Sequence, residues 1–368
     1  MDRDNARNAK AEIFASAFGY EEFAPIAEGR TIPHFQMSND MLATAFAAAT
    51  NGDFGRLALS PRKIPVAVAP PVAVGIAPRS RDGDGGEKIV LLSTHKSFAK
   101  HPMVERAMEI AKGEAEFVFT GPVRAYSYWV PAYRRPLAPG MSIGHVAAAT
   151  GTLGGFVVRL GTPSPCLLSN NHVLANVNDG LIGDAIHQPG IVDGGNGAAF
   201  RVGQLSDFVP IDFGAGRVNL VDCAVAEPDE LAPLSAISLA NGQAGATPIV
   251  GAYGGDTQAG DLVFKVGRTT GLTRGVVFAE EIDNYLVNLG SNSRPRMARF
   301  DDQFTIMGEG GDFSQPGDSG SLVVDYDGHA RGLLFAGSAA GAPNGFGLTA
   351  ANPIATVLSE LSATLWTG

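Results

Sequence analysis

A serine hydroxyl is the clearest chemical group that the sequence offers. Ser319 lies in the stretch Gln315-Pro-Gly-Asp-Ser-Gly320, and an apolar run, Ser321–Val324, follows directly. A nucleophilic hydroxyl needs a fixed, exposed position and backbone N–H donors directed at the oxyanion that develops. Gly317 and Gly320 permit backbone conformations that other residues resist, so the N–H groups of Gly317 and Ser319 can point at one oxyanion. Turns often contain Gly-Asp-Ser-Gly, but its position before a strand favours the catalytic interpretation.

A histidine and an aspartate stand in contexts that suit a general base and the carboxylate that orients it. His172 follows small polar residues at the end of an apolar run, in Leu168-Ser-Asn-Asn-His172. Asp222 lies just inside the otherwise apolar run Leu220–Ala226, where a carboxylate is costly unless it is paired. Holding an imidazole in one tautomer is a fitting use for it. The other histidines are interpreted as structural: His34, His95, His101, His145, His187 and His329.

From Met141 onward, the pattern predicts an antiparallel all-β barrel or sandwich, because short apolar runs alternate with Gly, Pro, Asp and Asn. A tight hairpin is predicted at Asp325-Tyr-Asp-Gly328. Asn352 and Pro353 predict the start of a terminal helix whose apolar spacing continues to Leu365. The predicted strands are Gly155–Arg159, Cys166–Ser169, Leu220–Ala226, Pro248–Val250, Leu262–Val266, Gly275–Ala279, Ser321–Val324 and Gly332–Ala336.

Residues 1–140 predict a smaller helical and α+β unit without a catalytic set. Prolines at 61, 65, 70 and 71 predict a stiff connector inside it. Asp82 and Asp84 resemble part of a calcium loop, but a hairpin turn is favoured because the further oxygen ligands are missing. The aromatic cluster Tyr126–Tyr133 is interpreted as interdomain packing. The predicted elements are helices over 6–18 and 39–51, strands at Val72–Ile76 and Lys88–Ser93, a helix from Pro102 to Gly113 and a strand at Glu116–Phe119.

With these motifs in view, residues 141–368 resemble a trypsin-like serine peptidase domain. His, Asp and Ser follow one another at separations of 50 and 97 residues, in the chain order of the chymotrypsin triad. The matching stretches are Gly151-Thr-Leu-Gly-Gly155, Ser169-Asn-Asn-His172-Val, Val221-Asp222-Cys-Ala, Phe264-Lys-Val-Gly-Arg-Thr-Thr-Gly271, Gly317-Asp-Ser-Gly320 and the C-terminal helix. The likeness is closest to a cysteine-poor group that carries an N-terminal α+β extension.

This resemblance implies a mainly β chain in which a two-barrel chymotrypsin-like peptidase domain, residues 141–368, follows a smaller α+β domain, residues 1–140. It implies a serine endopeptidase whose triad is His172, Asp222 and Ser319. The N–H groups of Gly317 and Ser319 would form the oxyanion hole, and an acyl group would form on Ser319 and be hydrolysed by water.

The same resemblance implies a primary specificity pocket at Phe313, six residues before Ser319, and at Gly337. An apolar or small side chain is then expected at the cleaved position. Lys265 and Arg268 are interpreted as a strand end and a turn, with support of the pocket wall or of a bound anion as the alternative.

Secreted relatives are activated by cleavage, after which a new N-terminal amine pairs with the aspartate before the nucleophile. Ser142-Ile-Gly-His145 and Asp318 are the corresponding residues here. Nothing near Ile143 marks a cleavage site, although Arg134 and Arg135 form a basic pair. We therefore expect residues 1–140 to be a permanent domain for regulation, assembly or partner binding, with an inhibitory extension as the alternative.

Composition and net charge limit the classes of binding partner and the cellular location that are expected. The net charge is −10, and an acidic protein repels phosphate backbones, so nucleic acid is not an expected partner. Neither a membrane span nor a secretory signal is recognisable, and two cysteines are few for a secreted member, so a cytoplasmic location is expected. Cys166 and Cys223 are interpreted as buried thiols, with one disulfide as the alternative. The expected partner is a protein or peptide substrate, and a homo-oligomer is compatible with the sequence.

Functions other than a peptidase are compatible with parts of the sequence. A catalytically latent or inactive scaffold that binds partner proteins is the main alternative, and hydrolysis of an ester is a third. The Gly-X-Ser-X-Gly motif of α/β-hydrolases is absent. No His, Cys and carboxylate set has zinc-ligand spacing, so neither a metal nor a cofactor is expected.

Overall fold

The computed structural model describes residues 1–23, 34–37, 72–79, 86–121, 123–124, 136–148, 150–161, 164–214, 216–229, 234, 248–291 and 293–368. The predicted helix over 39–51, the proline connector, the Asp82 and Asp84 turn, the basic pair and the cluster Tyr126–Tyr133 lie outside the described residues. No helix in the described ranges is long and apolar enough to cross a membrane.

Strands dominate the described chain, and they are numbered from the N-terminus. The strands are β1 (Tyr20–Phe23), β2 (His34–Met37), β3 (Val72–Pro78), β4 (Glu87–Ser93), β5 (Ala115–Phe119), β6 (Val123–Arg124), β7 (Ser142–His145), β8 (Gly151–Thr152), β9 (Gly155–Arg159), β10 (Cys166–Ser169), β11 (Ala185–His187), β12 (Arg201–Phe208), β13 (Ala224–Pro228), β14 (Gly251–Ala252), β15 (Leu262–Gly267), β16 (Gly271–Asp283), β17 (Tyr285–Asn288), β18 (Met297–Phe300), β19 (Gln303–Gly308), β20 (Leu322–Val324), β21 (His329–Gly341), β22 (Gly347–Pro353) and β23 (Ala363–Leu365). The α-helices are α1 (Arg3–Glu12), α2 (Pro102–Ile110), α3 (Asn171–Leu174) and α4 (Ile354–Glu360), and a π-helical turn, Ile13–Ala17, continues α1.

Six strands close into an antiparallel barrel. β20 pairs with β15 and β21, β15 pairs with β16, β16 with β19, β19 with β22, and β22 returns to β21. Closure leaves these strands without free edges over the paired stretches. The barrel interior is apolar and consists of Val263, Val277, Phe304, Ile306, Phe313, Val323, Leu334 and Ala351.

The second sheet forms a curled half-barrel. Its strand order is β23-β9-β10-β13-β12-β11-β7-β8, and the ends of β10 and β8 face the closed barrel. An apolar cluster joins the two sheets, because Leu168 and Val225 of the half-barrel pack with Leu322 and Leu333 of the closed barrel. This contact fixes the junction at which His172, Asp222 and Ser319 meet.

Strands of the first 140 residues extend the sheet of the closed barrel. β3 pairs with β16, β4 pairs with β3, and β5 lies parallel to β4. Helices α1 and α2 cover these strands through a cluster that includes Phe14, Phe18 and Leu91. The N-terminal unit is therefore continuous with the barrel sheet.

Ion pairs hold α1 against β16. Arg3, Arg7 and Lys10 lie on one helix face, since residues three and four apart are neighbours. Arg3 Nη1 is 2.6 Å from Glu280 Oε1, Arg7 pairs with Glu281, and Lys10 Nζ is 2.9 Å from Asp283 Oδ2. Burial raises the pKa of the Asp283 carboxyl, and Lys10 opposes that shift. The buried Lys10–Asp283 pair is thus the part of this contact that is most costly to break.

The predicted helix near the N-terminus, the strand–strand–helix–strand unit and the hairpin turn after β20 are all present, but the C-terminus differs from the prediction. Asn352 belongs to β22 and caps no helix, α4 begins at Ile354, and Leu365 lies in β23, paired with Val157. Ser362 has a φ of 49°, which ends the helical path before Leu365. The run Leu220–Ala226 is a strand only from Ala224 onward, and the run Pro248–Val250 precedes the short strand β14.

We expect Lys10→Met to release α1 from the barrel sheet, because Asp283 would keep a buried charge without its cation. The opening free energy of the α1 amides, measured by hydrogen exchange, should fall by about 3–5 kcal/mol. Arg106→Ala breaks an exposed pair with Glu109 and should cost below about 1 kcal/mol. Equal protection in both variants would show that the buried pair does not anchor α1.

Candidate active site

A buried carboxylate orients the imidazole of His172. Asp222 is fully buried, and its Oδ2 lies 2.5 Å from His172 Nδ1 while its Oδ1 accepts the His172 N–H at 3.2 Å. Both carboxylate oxygens are therefore used by one residue. This contact holds the proton on Nδ1, so that Nε2 is the nitrogen left to accept a proton.

Two asparagines fix the backbone of Asp222. Asn170, directly before α3, donates from Nδ2 to Asp222 O at 2.7 Å, and Asn352 Oδ1 accepts the Asp222 N–H at 3.0 Å. Asn352 comes from β22 of the closed barrel, so this bond links the two sheets at the acid. Sequence reasoning assigned Asn352 to a helix cap and missed this role, because its partner lies 130 residues away in the chain.

Ser319 lies at the same junction. Thr152 N–H donates to Ser319 O at 2.8 Å, and Ser169 Oγ, three residues before His172, donates to Thr152 O at 2.7 Å. A Cβ on Gly151 would meet both Ser319 O and Val173, the neighbour of His172. The structure thus brings the backbone around the predicted nucleophile next to that of the predicted base.

The hydroxyl of Ser319 does not reach the imidazole in this structure. Ser319 Oγ donates to Phe335 O at 3.4 Å, and His172 Nε2 is buried without a hydrogen-bond partner in the described part of the chain. Such hydrogen bonds are often long or misaligned in a free enzyme and form with substrate bound.

The turn before Ser319 carries the two N–H groups that the sequence singled out. Neither the Gly317 N–H nor the Ser319 N–H donates a hydrogen bond within the described ranges. Gly317 has a φ of 99°, and a Cβ there would lie 1.9 Å from Arg268 Nη1, so only glycine fits. Thr152 Oγ1 holds the turn from the half-barrel by donating to Gly317 O at 2.8 Å.

The carboxylate of Asp318 accepts hydrogen bonds that hold the turn before Ser319 in place. Asp318 is fully buried, and its carboxylate accepts from Thr269 N–H at 2.9 Å, Thr270 Oγ1 at 2.6 Å and Gln315 N–H at 2.9 Å. Lys265 Nζ lies 3.4 Å from the same carboxylate. Burial lowers the pKa of the Lys265 ammonium, and Asp318 opposes that shift. Lys265 is therefore a buried cation that pairs with the aspartate directly before Ser319.

The segment around Ile143 forms part of the half-barrel sheet. Ile143 lies in β7 and pairs with Gly151, and Ser142 Oγ donates to Asp193 at 2.5 Å. Asp193 also makes a bidentate pair with Arg268, at 2.7 Å to Nε and 2.6 Å to Nη2. Both side chains of that pair are fully buried, and it joins the half-barrel to the closed barrel. Sequence reasoning gave no role to Asp193.

The two predicted pocket residues have different positions. Phe313 is fully buried and packs in the closed-barrel interior, and its expected role in the specificity pocket stays a prediction. Gly337 lies in β21 opposite Thr349, whose hydroxyl is 2.7 Å from Ser314 Oγ. A buried polar pair therefore lies beside Gly337.

One group of side chains has the composition of a cation site. Ligand atoms of Asp325, Asp327 and His329 lie within 4.8 Å of one another at the hairpin after β20. Asp325 is already occupied, because it accepts from Arg331 Nε at 2.9 Å and from the His329 N–H at 2.9 Å. These hydrogen bonds within the hairpin turn explain why the three side chains lie close together.

The two cysteines are free and buried, so the disulfide alternative is not realised. Burial raises the pKa of the Cys223 thiol well above its ordinary value, and burial also raises that of Cys166. A thiol that stays protonated is a poor nucleophile. Cys223 therefore takes no part in the chemistry, although it follows Asp222 directly.

Comparison with protein-family models finds no match. Curated proteins also give no match. Among solved structures, the chain is similar to Thermobifida fusca Protease A, with 15% identity and a TM-score of 0.43 over 63% of this chain and 100% of that one. It is also similar to a Nocardiopsis protease, with 17% identity and a TM-score of 0.45 over 62% and 98%, and to an alpha-lytic protease homolog, with 18% and 0.42 over 62% and 100%.

The fold itself is established by the strand pairing of this chain. The strand pairing itself shows a closed six-stranded barrel beside a curled half-barrel, with His172 and Asp222 on the half-barrel side and Ser319 on the other. The chain thus has the two-barrel fold of the chymotrypsin-like serine peptidases, as the resemblance in sequence implied.

Proposed function

We propose that this chain is a serine endopeptidase in which His172, Asp222 and Ser319 form the triad. The observation that supports this most directly is the fully buried Asp222, whose two oxygens both bind His172. A carboxylate is costly to bury, and a fold that needed only apolar packing at this junction would not keep one there. The need to orient His172 as a base beside the Ser319 hydroxyl would explain why the buried Asp222 carboxylate is kept.

In the proposed reaction, Ser319 Oγ turns from Phe335 O towards His172 Nε2 and gives up its proton as it attacks a peptide carbonyl. The Asp222 carboxylate stabilises the imidazolium that forms. The N–H groups of Gly317 and Ser319 bind the oxyanion of the tetrahedral intermediate. His172 then protonates the leaving amine, and the acyl group on Ser319 is hydrolysed by a water that His172 deprotonates.

The scaffold alternative is weaker than the peptidase. A partner-binding barrel needs neither the Asp222–His172 contact nor two N–H groups free beside a serine. Esters remain acceptable substrates of the same proposed site, because its chemistry is acyl transfer.

The proposed nucleophile is tested by labelling the full chain with a fluorophosphonate probe. We expect Ser319→Ala to abolish labelling, and His172→Ala to lower ester hydrolysis by about 10⁴–10⁶-fold. Ser359→Ala, at an exposed side chain, and His329→Ala, at a partly exposed one, serve as matched controls and should label normally. Labelling that persists in Ser319→Ala would reject this nucleophile.

The role of the acid is tested separately with Asp222→Asn. The amide keeps the volume of the carboxylate but favours the wrong imidazole tautomer, so kcat for an ester should fall by about 10⁴-fold with little change in KM. The unfolding midpoint of the same variant distinguishes lost catalysis from lost structure. A loss of kcat below about tenfold would argue against Asp222 as the orienting residue.

The Lys265–Asp318 pair predicts a site that needs no new N-terminus. In Lys265→Met the Asp318 carboxylate loses its buried cation, so the turn that carries Gly317 should loosen and stability should fall by about 3–5 kcal/mol. We expect kcat/KM for an ester to fall together with the fluorophosphonate labelling rate. Unchanged rates and stability in Lys265→Met would show that Asp318 has another partner.

A further inference from the structure

One edge of β21 leads directly to the proposed nucleophile. On one side, β21 pairs with β22 from Gly332 to Gly341 and with β14 at His329 and Ala330, whereas the other edge is the one that contacts Ser319. β20 lies on that edge first. The chain before β20 continues the contact, because Gly320 N–H donates to Leu334 O at 2.8 Å and Ser319 Oγ donates to Phe335 O.

The next position on this edge is filled by a strand from the first 140 residues. In β6, Arg124 pairs with Gly337 and Val123 pairs with Ser338, antiparallel to β21. Gly337 is two residues beyond Phe335, a distance of about 7 Å along a strand. The chain itself therefore pairs with the strand edge next to Ser319.

That edge is where an extended substrate would have to bind. A peptide whose carbonyl lies at Ser319 continues along β21, and the main-chain groups of an exposed strand edge bind such a peptide by adding it as a further strand. As β6 advances from Val123 to Arg124, its partners recede from Ser338 to Gly337, so β6 runs towards Phe335. β6 therefore runs in the same direction as the part of a substrate that lies N-terminal to the bond cleaved at Ser319.

β6 is held in place from both sides and from upstream. β17 lies parallel to its other edge, with Asn288 opposite Arg124. Upstream, Thr120 N–H donates to Ser93 O at 2.9 Å and ties the end of β5 to β4. Gly121 has a φ of 68°, which lets the chain turn between β5 and β6. The N-terminal unit therefore delivers β6 to this edge at a high local concentration.

We propose that β6 is an autoinhibitory strand: Val123 and Arg124 occupy the peptide-binding edge of β21, and an extended substrate binds only after it displaces them. The inference rests on the proposed peptidase function. The partner that fits this surface is an extended polypeptide that pairs antiparallel with Gly337 and Ser338. A pairing of two residues is short enough to be displaced, and its cost appears as a raised KM for peptides.

The test compares a long substrate with short ones on the full chain. In Val123→Pro the strand loses an N–H donor and the conformation that pairing needs. For a tetrapeptide p-nitroanilide, selected from a mixed library with the wild type, we expect KM to fall about tenfold, as it would if the edge were open about a tenth of the time. Hydrolysis of a single-residue ester and fluorophosphonate labelling should change less than twofold, because neither needs the edge of β21.

Val123→Thr is the matched control, since it keeps the N–H and a β-branched side chain, and it should leave every rate unchanged. If the wild type is not labelled by the fluorophosphonate, the proposed function fails. If it is labelled and Val123→Pro leaves the peptide KM unchanged, the autoinhibitory role of β6 is rejected. Cleavage of the wild-type chain after β6, seen as two fragments by intact mass, would also reject it and make β6 a substrate strand.

If the Val123→Pro variant does not fold, a second measurement on the wild-type chain tests the same proposal. Hydrogen exchange of the Val123 and Arg124 amides is recorded in the wild type with and without a tetrapeptide chloromethyl ketone bound at Ser319. Displacement predicts at least a tenfold loss of protection at these amides, with no change at the amides of β5. Retained protection with the inhibitor bound would show that the peptide and β6 do not share the edge.

Discussion

The burial of Asp222 is the constraint on which the junction between the two sheets depends. A carboxylate with no exposure is tolerated only when its oxygens and its backbone are satisfied. His172 takes both oxygens from the half-barrel side, and Asn352 fixes the backbone from the closed barrel. The relative position of the sheets is therefore set by the same contacts that set the imidazole tautomer. Apolar packing brings the sheets together, and this polar contact selects one register between them.

Two further buried carboxylates apply the same principle around the nucleophile. Asp193 binds Arg268 across the sheet junction, and Asp318 binds Lys265 within the closed barrel. Each pair is poor evidence of net stability, because desolvation cancels much of the attraction. Their value lies in geometry, since breaking either would leave a charge without a partner under the turn of Gly317. The turn that carries the proposed oxyanion donors is thus held by groups that cannot move without a large energetic penalty.

The local sequence pattern predicted the structural features that depend on residues close together in the chain. The strand runs, the first helix and the hairpin after β20 follow from periodicity and turn residues, and short motifs singled out His172 and Asp222, which the structure brings into contact. The pattern misled where two structures share one spacing: Leu365 fits a helical repeat but completes a strand pair with Val157. It gave no indication that Phe313 packs in the barrel interior, nor of the role of Asp193, whose partner lies 75 residues away.

The position of β6 follows from a general problem of sheets. A strand edge with unpaired main-chain groups is a template for unwanted pairing, and folds usually cover such edges. Under the proposed function, a permanent cover on the edge of β21 would exclude the substrate. The strand β6 pairs with only Gly337 and Ser338, which suits the proposed displacement. The N-terminal unit that supplies this strand joins the closed-barrel sheet through β3 and β16. Regulation by displacement, and not by removal of the first 140 residues, is the mode that this connectivity favours.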